Sequence, residues 1–205
     1  MHNRPIRSIL TVAVLLAAFA AAWPVFANGT PESLIEGLAD KAIASLTERD
    51  ITREERVSRF RTLLNDHFDV RTIGRWVLGR HWRSATPAER EEYFTLFEDL
   101  IVFTYVDRFT KYSGEALAVT GAKNVDEKDT LVSSEITRAD AGSPPFRVDW
   151  RLRARDDGYR IVDVMVQGIS MGQTQRSEFA SVIRTNGGTI EALLEIGRAS
   201  CRERV

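Results

Sequence analysis

The sequence predicts an α+β domain in which helices pack on one face of a four-stranded antiparallel sheet, enclosing an apolar cavity. Helix-spaced apolar residues fill positions 31 to 112, and strand-like alternation fills positions 115 to 167. Helices and strands are thus segregated along the chain, as in α+β rather than alternating α/β folds. One segment, "FRVDWRLRA", sets the sheet's character. Phe146, Val148, Trp150 and Leu152 fall on one face, and Arg147, Asp149, Arg151 and Arg153 on the other. That is the pattern of an antiparallel strand with one buried face and one wet face.

The first 27 residues stand apart. Arg4 and Arg7 precede an apolar run from Ile9 to Ala22, and Val25-Phe26-Ala27 offers a cleavage site. This three-part layout is that of a secretory signal peptide, cut after Ala27. A retained membrane anchor is the alternative, because the run is only slightly shorter than a span. Trp23-Pro24 interrupts the run, and Asn28-Gly29-Thr30-Pro31 makes a polar start for an exported domain over residues 28–195.

The helices follow in order. Thr30-Pro31 is a cap with proline at the first helical position, followed by Leu34, Ile35, Leu38, Ala42 and Leu46. Thr52 and Glu55 fit a capping box ahead of Val57, Phe60 and Leu63-Leu64. The stretch "FDVRTIGRWVLGRHW" reads as a third helix, and Thr86-Pro87-Ala88-Glu89 opens a fourth and longest one to about residue 112. The strands "EALAVTGAK", "TLVSSEIT", "FRVDWRLRA" and "YRIVDVMVQ" come next. Ser170 to Gln173 fits another capping box, for a helix that stops at Asn186-Gly187-Gly188, and a short helix starts at Thr189.

Composition narrows the function. Without the leader and the last ten residues, Asp and Glu exceed Lys and Arg by about five, whereas a nucleic-acid surface needs clustered cations. The size suits one domain. One cysteine in 205 residues permits no internal disulfide, and no Cys/His cluster has zinc-ligand spacing. After the leader, the histidines are His67 and His81, and there is no Gly-rich phosphate loop or G-x-S-x-G. Asp163, an acid among apolar strand residues, is the one candidate base in a pocket; pairing with a sheet arginine is the competing reading.

The long helix is too apolar for one neighbour. Phe103, Leu96, Leu100, Tyr93, Phe97, Ile101, Phe94, Tyr112 and Tyr105 cover an arc of about 200°, twice the stripe that one core surface needs. Either a second helix covers the excess or part of it lines a ligand cavity. Periodicity is compatible with both.

Two stretches carry a resemblance. "FDVRTIGRWVLGRHWRSATPAEREEYFTLFEDLIVFTYVDRFTKYSGE" and "YRIVDVMVQGISMGQTQRSEFASVIRTNGG" resemble, in order and spacing, the signatures of the MlaC, or toluene-tolerance, family. Tyr159-Arg160 and Gln175-Arg176 stand where Trp-Lys and Tyr-Arg are common in that family. The resemblance implies a soluble periplasmic carrier without catalysis or cofactor. Such a carrier shuttles phospholipid between an outer-membrane lipoprotein complex and an inner-membrane ABC transporter complex with its membrane-anchored substrate-binding subunit. A hopanoid cargo, a non-catalytic adaptor that binds an envelope protein, and an enzyme built on Asp163 are the alternatives.

On the carrier reading, the lining is expected from Phe97, Ile101, Tyr105 and Phe109 of the long helix and Val148, Trp150 and Leu152 of the sheet. Ile169 and Met171 are expected at the mouth. Arg147, Arg151 and Arg153 form either a solvated face or a surface for acidic partners or headgroups. The last ten residues, "IGRASCRERV", are basic and lack apolar periodicity. A common sequencing-library adapter translates in frame to these ten residues, so residues 196–205 are expected to be non-native, Cys201 included, and the natural sequence to be cut off near Glu195.

Overall fold

A computed structural model describes residues 29–139 and 142–204. The signal-peptide expectation for residues 1–27 lies outside them. Helix α1 (Pro31–Leu46) starts as expected, with the Thr30 hydroxyl oxygen accepting from the Ser33 amide at 3.2 Å. The chain then folds back into α2 (Arg53–His67), held to the end of α1 by buried Arg56, which donates to the Leu46 and Glu48 carbonyls. Only half of the capping box at Thr52 forms. Its hydroxyl accepts from the Glu55 amide, while the Glu55 carboxylate takes Arg59 at 2.8 Å.

The expected third helix is two helices, α3 (Val70–Leu78) and α4 (His81–Ser84). The break falls at Gly79, whose φ of +61° a side chain would strain and where the Arg176 guanidinium packs within 3.1 Å of a would-be Cβ. Helix α5 (Pro87–Tyr105) begins with the complete Thr86–Glu89 capping box. It does not run to residue 112: Val106–Lys111 tightens into a 3₁₀ helix, and Tyr112 leaves it to donate to the Glu115 carbonyl.

The sheet is an antiparallel meander in the order β1-β2-β3-β4-β5, comprising β1 (Ala116–Asn124), β2 (Asp129–Thr137), β3 (Phe146–Arg155), β4 (Gly158–Val166) and β5 (Ile169–Ser170). Four strands were expected, and the fifth is the two-residue β5. It forms because Gln167 and Gly168 both take positive φ, 51° and 78°, making the two-residue turn that suits a hairpin. Glutamine is an unusual first residue for that turn, so the sequence signal was faint.

Helices α6 (Met171–Thr185) and α7 (Ile190–Arg204) complete the fold. The Ser170 hydroxyl oxygen accepts from the Gln173 amide, and the Gly188 amide closes α6 on the Ile183 carbonyl. Helix α7 continues through the tail, with Arg198 bridging Glu92 and Glu191 and the Cys201 thiol 3.9 Å from the Asp99 carboxylate. Among the described residues, no helix is long and apolar enough to cross a membrane.

Two cores result. One lies among the helices, where Tyr93, Phe97 and Phe179 pack with Val77, Ile183 and Leu194. The other joins α1 to the sheet through Ile35, Leu38, Val132, Leu152 and Ile161. Phe68 touches both and bridges to Ile161. On the outer sheet face, Arg153 and Arg147 have carboxylate partners within the protein. Arg153 forks onto buried Asp129 at 2.7 and 2.8 Å, and Arg147 takes Asp149 at 2.9 Å. Arg151 reaches Asp129 only at 3.9 Å.

Candidate functional site

Between the two cores lies a cavity of about 530 Å³. Its walls come from both helices and sheet. Helix α1 contributes Ala39, Ala42 and Ile43, α2 contributes Phe60 and Leu63, and α5 with the 3₁₀ segment contributes Phe97, Ile101, Tyr105 and Phe109. The sheet contributes Leu117, Ile136, Phe146, Val148, Trp150, Val164 and Val166, and Met171 stands at the start of α6. Small alanines on α1 leave the room, and aromatic residues opposite define its shape. The cavity lies within the ~300–1,000 Å³ range typical of ligand pockets.

The excess apolar arc of α5 therefore has both of its possible causes. Helix α7 packs along α5, its Leu193 and Leu194 sharing a core with Tyr93, Leu96 and Leu100, while Phe97, Ile101 and Tyr105 turn to the cavity. Trp150 enters the wall without an orphaned donor. Its indole N–H donates to the Ser134 hydroxyl at 3.0 Å, and that hydroxyl donates to the Val148 carbonyl at 2.9 Å. This chain fixes the ring and keeps polar atoms satisfied in an apolar site.

Seven of the nine expected lining residues meet on this wall: Phe97, Ile101, Tyr105, Phe109, Val148, Trp150 and Met171. Leu152 does not. It is on the expected face of β3, but α1 covers that end of the strand, and Leu152 is 0 % exposed in the second core. Ile169 is also off the wall, because the β4–β5 turn carries it outward to 61 % exposure. The α1 residues were missed, although Ala39 and Ile43 widen its apolar stripe in the sequence. Phe146 was missed too, despite sharing the alternating face of Val148 and Trp150.

Asp163 borders the cavity but does not pair with a sheet arginine. Its carboxylate accepts from the Ser170 hydroxyl at 2.7 Å, the Gly172 amide at 3.2 Å and the Val164 amide at 2.9 Å. Arg151 is its cross-strand neighbour, yet that guanidinium leans toward Asp129. Asp163 therefore ties the last long strand to the positively polarised start of α6. Among the described residues, no group of three or more His, Cys, Asp or Glu side chains could hold a metal ion. His81, at the first position of α4, has its pKa lowered by desolvation and by Arg80.

A second depression of about 670 Å³ runs between α3, α5 and the β3–β4 turn. It is charged, and its cations are spoken for: Arg71 by Glu91, Arg155 by Asp69 and Arg160 by Asp157. The apolar cavity is the stronger candidate, because its wall has unfilled apolar surface to offer a ligand.

Helices and a meander sheet wrapped around a largely apolar cavity define an α+β domain with room for a ligand. The chain belongs to the MlaC family: the family model described as "MlaC protein" matches residues 36–196. Among curated proteins, it is similar to the intermembrane phospholipid transport system binding protein MlaC of Haemophilus influenzae, with 22% identity over 179 residues and 84% of each chain covered. It is also similar to the toluene tolerance protein ttg2D of Pseudomonas putida, with 23% identity over 187 residues, 89% of this chain and 85% of the relative. A solved phospholipid-binding protein from Ralstonia solanacearum, in complex with a phospholipid, shares the fold. Its TM-score is 0.73 at 19% identity, covering 85% of this chain and 98% of that one.

Proposed function

We propose that this protein is a phospholipid carrier that holds acyl chain in the cavity between its two cores. The observation that carries the reading is the apolar wall itself, about 530 Å³ bounded by α1, α2, α5 and the sheet. At roughly 30 Å³ per methylene-sized group, the share a water takes in the liquid, this volume holds on the order of 18 methylenes. Each methylene removed from water contributes about 0.8 kcal/mol. One long acyl chain is therefore strongly retained with few polar contacts, and a second chain requires the cavity to widen. The names of the relatives support lipid as the cargo class.

The finer reading extends this. The protein is exported by the 1–27 leader, works in the periplasm, and passes lipid between an outer-membrane lipoprotein complex and an inner-membrane ABC transporter complex. Native mass spectrometry of protein purified from the cell envelope tests the core of it. Co-purified phospholipid is the expected result. Repeated recovery of an empty protein held tightly by a protein partner would replace the carrier with an adaptor. A triterpenoid in the cavity would reassign the cargo.

A further inference from the structure

Two guanidinium groups that lie over rings of the cavity wall have no carboxylate partner among the described residues. Arg108, in the 3₁₀ segment, borders the cavity and is exposed, with its Cζ 5.3 Å from the centroid of the Tyr105 ring. Arg138, one residue beyond β2, lies 5.4 Å from the centroid of Phe146 and is also exposed. Tyr105 and Phe146 are both wall residues. The strand register sets Arg138 beside the start of β1, where Ala116 pairs with Thr137 and Ile136 pairs with Phe146, and Arg108 lies on the 3₁₀ segment that leads into β1.

The acids nearest Arg108 in sequence are engaged elsewhere. Asp107 holds Arg53 at 3.2 Å, and Glu115 accepts from the amide and hydroxyl of Ser113. This contrasts with the outer sheet face and the charged depression, where arginines carry internal carboxylates. A guanidinium stacked on a ring keeps its N–H edges free for a planar, forked contact, and phosphate oxygens fit that fork. Seated at the rim of a hydrocarbon wall, such a pair meets the two halves of an anionic amphiphile at once.

We propose that Arg108 and Arg138 form a phosphoester-binding site at the rim, which holds the headgroup of an amphiphile whose chain occupies the cavity. The proposal rests on the carrier reading for the chain, but its charge recognition is tested separately. The probes are a single-chain lysophosphatidic acid, the acyl-matched monoacylglycerol and inorganic phosphate. Each is titrated against delipidated protein and against the Arg108→Gln/Arg138→Gln variant.

The wild-type protein is expected to favour the phosphate-bearing lipid by roughly tenfold, the size of two partly exposed charge-assisted contacts. The preference should shrink as salt is raised. The variant should lose the preference and keep its monoacylglycerol affinity. An unchanged preference, or equal weakening toward both lipids, overturns the site. Arginine-dependent binding of inorganic phosphate as tight as that of the lysolipid would reassign it to the free ion and overturn the headgroup role. If the wild-type protein binds neither lipid, the carrier reading itself fails, and this proposal with it.

Discussion

Placing a charge on the cavity wall separates loading from folding. Ile101 lies on the α5 wall and is only partly buried, so the carboxylate of an Ile101→Glu variant can stay hydrated while the cavity is empty. When an acyl chain fills the cavity, that carboxylate loses its water. It then either stays charged at a cost of several kcal/mol or takes up a proton. Protonation caps the penalty. From an ordinary glutamate pKa of about 4.3, neutralisation costs about 3.7 kcal/mol at pH 7 and about 1 kcal/mol at pH 5. Lipid affinity should therefore fall by up to ~500-fold at pH 7 and recover most of that loss by pH 5. The sign follows from linkage: the loaded state raises the carboxyl pKa, so loading strengthens as pH falls.

The assay is the fraction of protein carrying lipid by native mass spectrometry, at both pH values, with melting temperature recorded for each sample. Ile101→Met, which conserves volume, is the control and should load normally. Ala42→Glu applies the same perturbation from the opposite wall, on α1, and guards against a folding defect peculiar to α5. Folded glutamate variants that load fully at pH 7 would show that the lipid lies elsewhere, and the cavity assignment would be refuted.

Other predictions concern the frame around the cavity. Arg56→Met removes two charged donors from the carbonyl end of α1 and should cost about 3 kcal/mol in urea unfolding; a change below the measurement error would deny Arg56 that role. Burial raises the Tyr93 pKa far above its ordinary 10.0. Folding stability should therefore drop as pH rises past 10, and the Tyr93 phenolate signal should appear only with unfolding; its appearance in the folded protein would contradict the packing. For Asp69, burial pulls the pKa upward, but the Thr72 amide and hydroxyl and the Arg155 guanidinium outweigh it and hold the carboxyl below its ordinary 3.8. That stability is present above pH 3.8 and lost as pH falls through the lowered value, so Asp69→Asn should flatten the acid side of the stability profile. Ile196 to Val205 we propose to be translated adapter; sequencing the native locus should give a frame without these ten residues, and finding them there would overturn it.

Local rules carried most of the fold. Side-chain caps at Thr30, Thr52, Thr86 and Ser170 mark where α1, α2, α5 and α6 begin, because a hydroxyl acceptor satisfies amides that the helix leaves free. Alternation over 146–152 identified the buried face of β3. What the sequence concealed was decided by neighbours distant in the chain. Val148 and Leu152 are equivalent in pattern, and only the position of α1 makes one a wall residue and the other core. Arg153 reads as a solvated strand cation until β2 brings Asp129 beneath it. Asp163 reads as a pocket base or an arginine's partner until the β4–β5 turn returns Ser170 and Gly172 to it.

The same division into two cores bears on how a carrier of this shape would take up a second chain. A cavity inside one core can grow only by breaking contacts on every side, because interiors are close-packed. Here the space lies along a seam: Val77, Phe97 and Ile183 belong to the helical core, and Leu38, Val132 and Ile161 to the core of α1 and the sheet. Under the carrier proposal, a small separation of these two units would enlarge the seam while both interiors stay packed. Phe68, which touches both cores, the Asp69 amide, which donates to the Ile161 carbonyl at 3.0 Å, and Asp163, which holds the start of α6, join the units. On the same proposal, these joints keep the two units together as the seam widens.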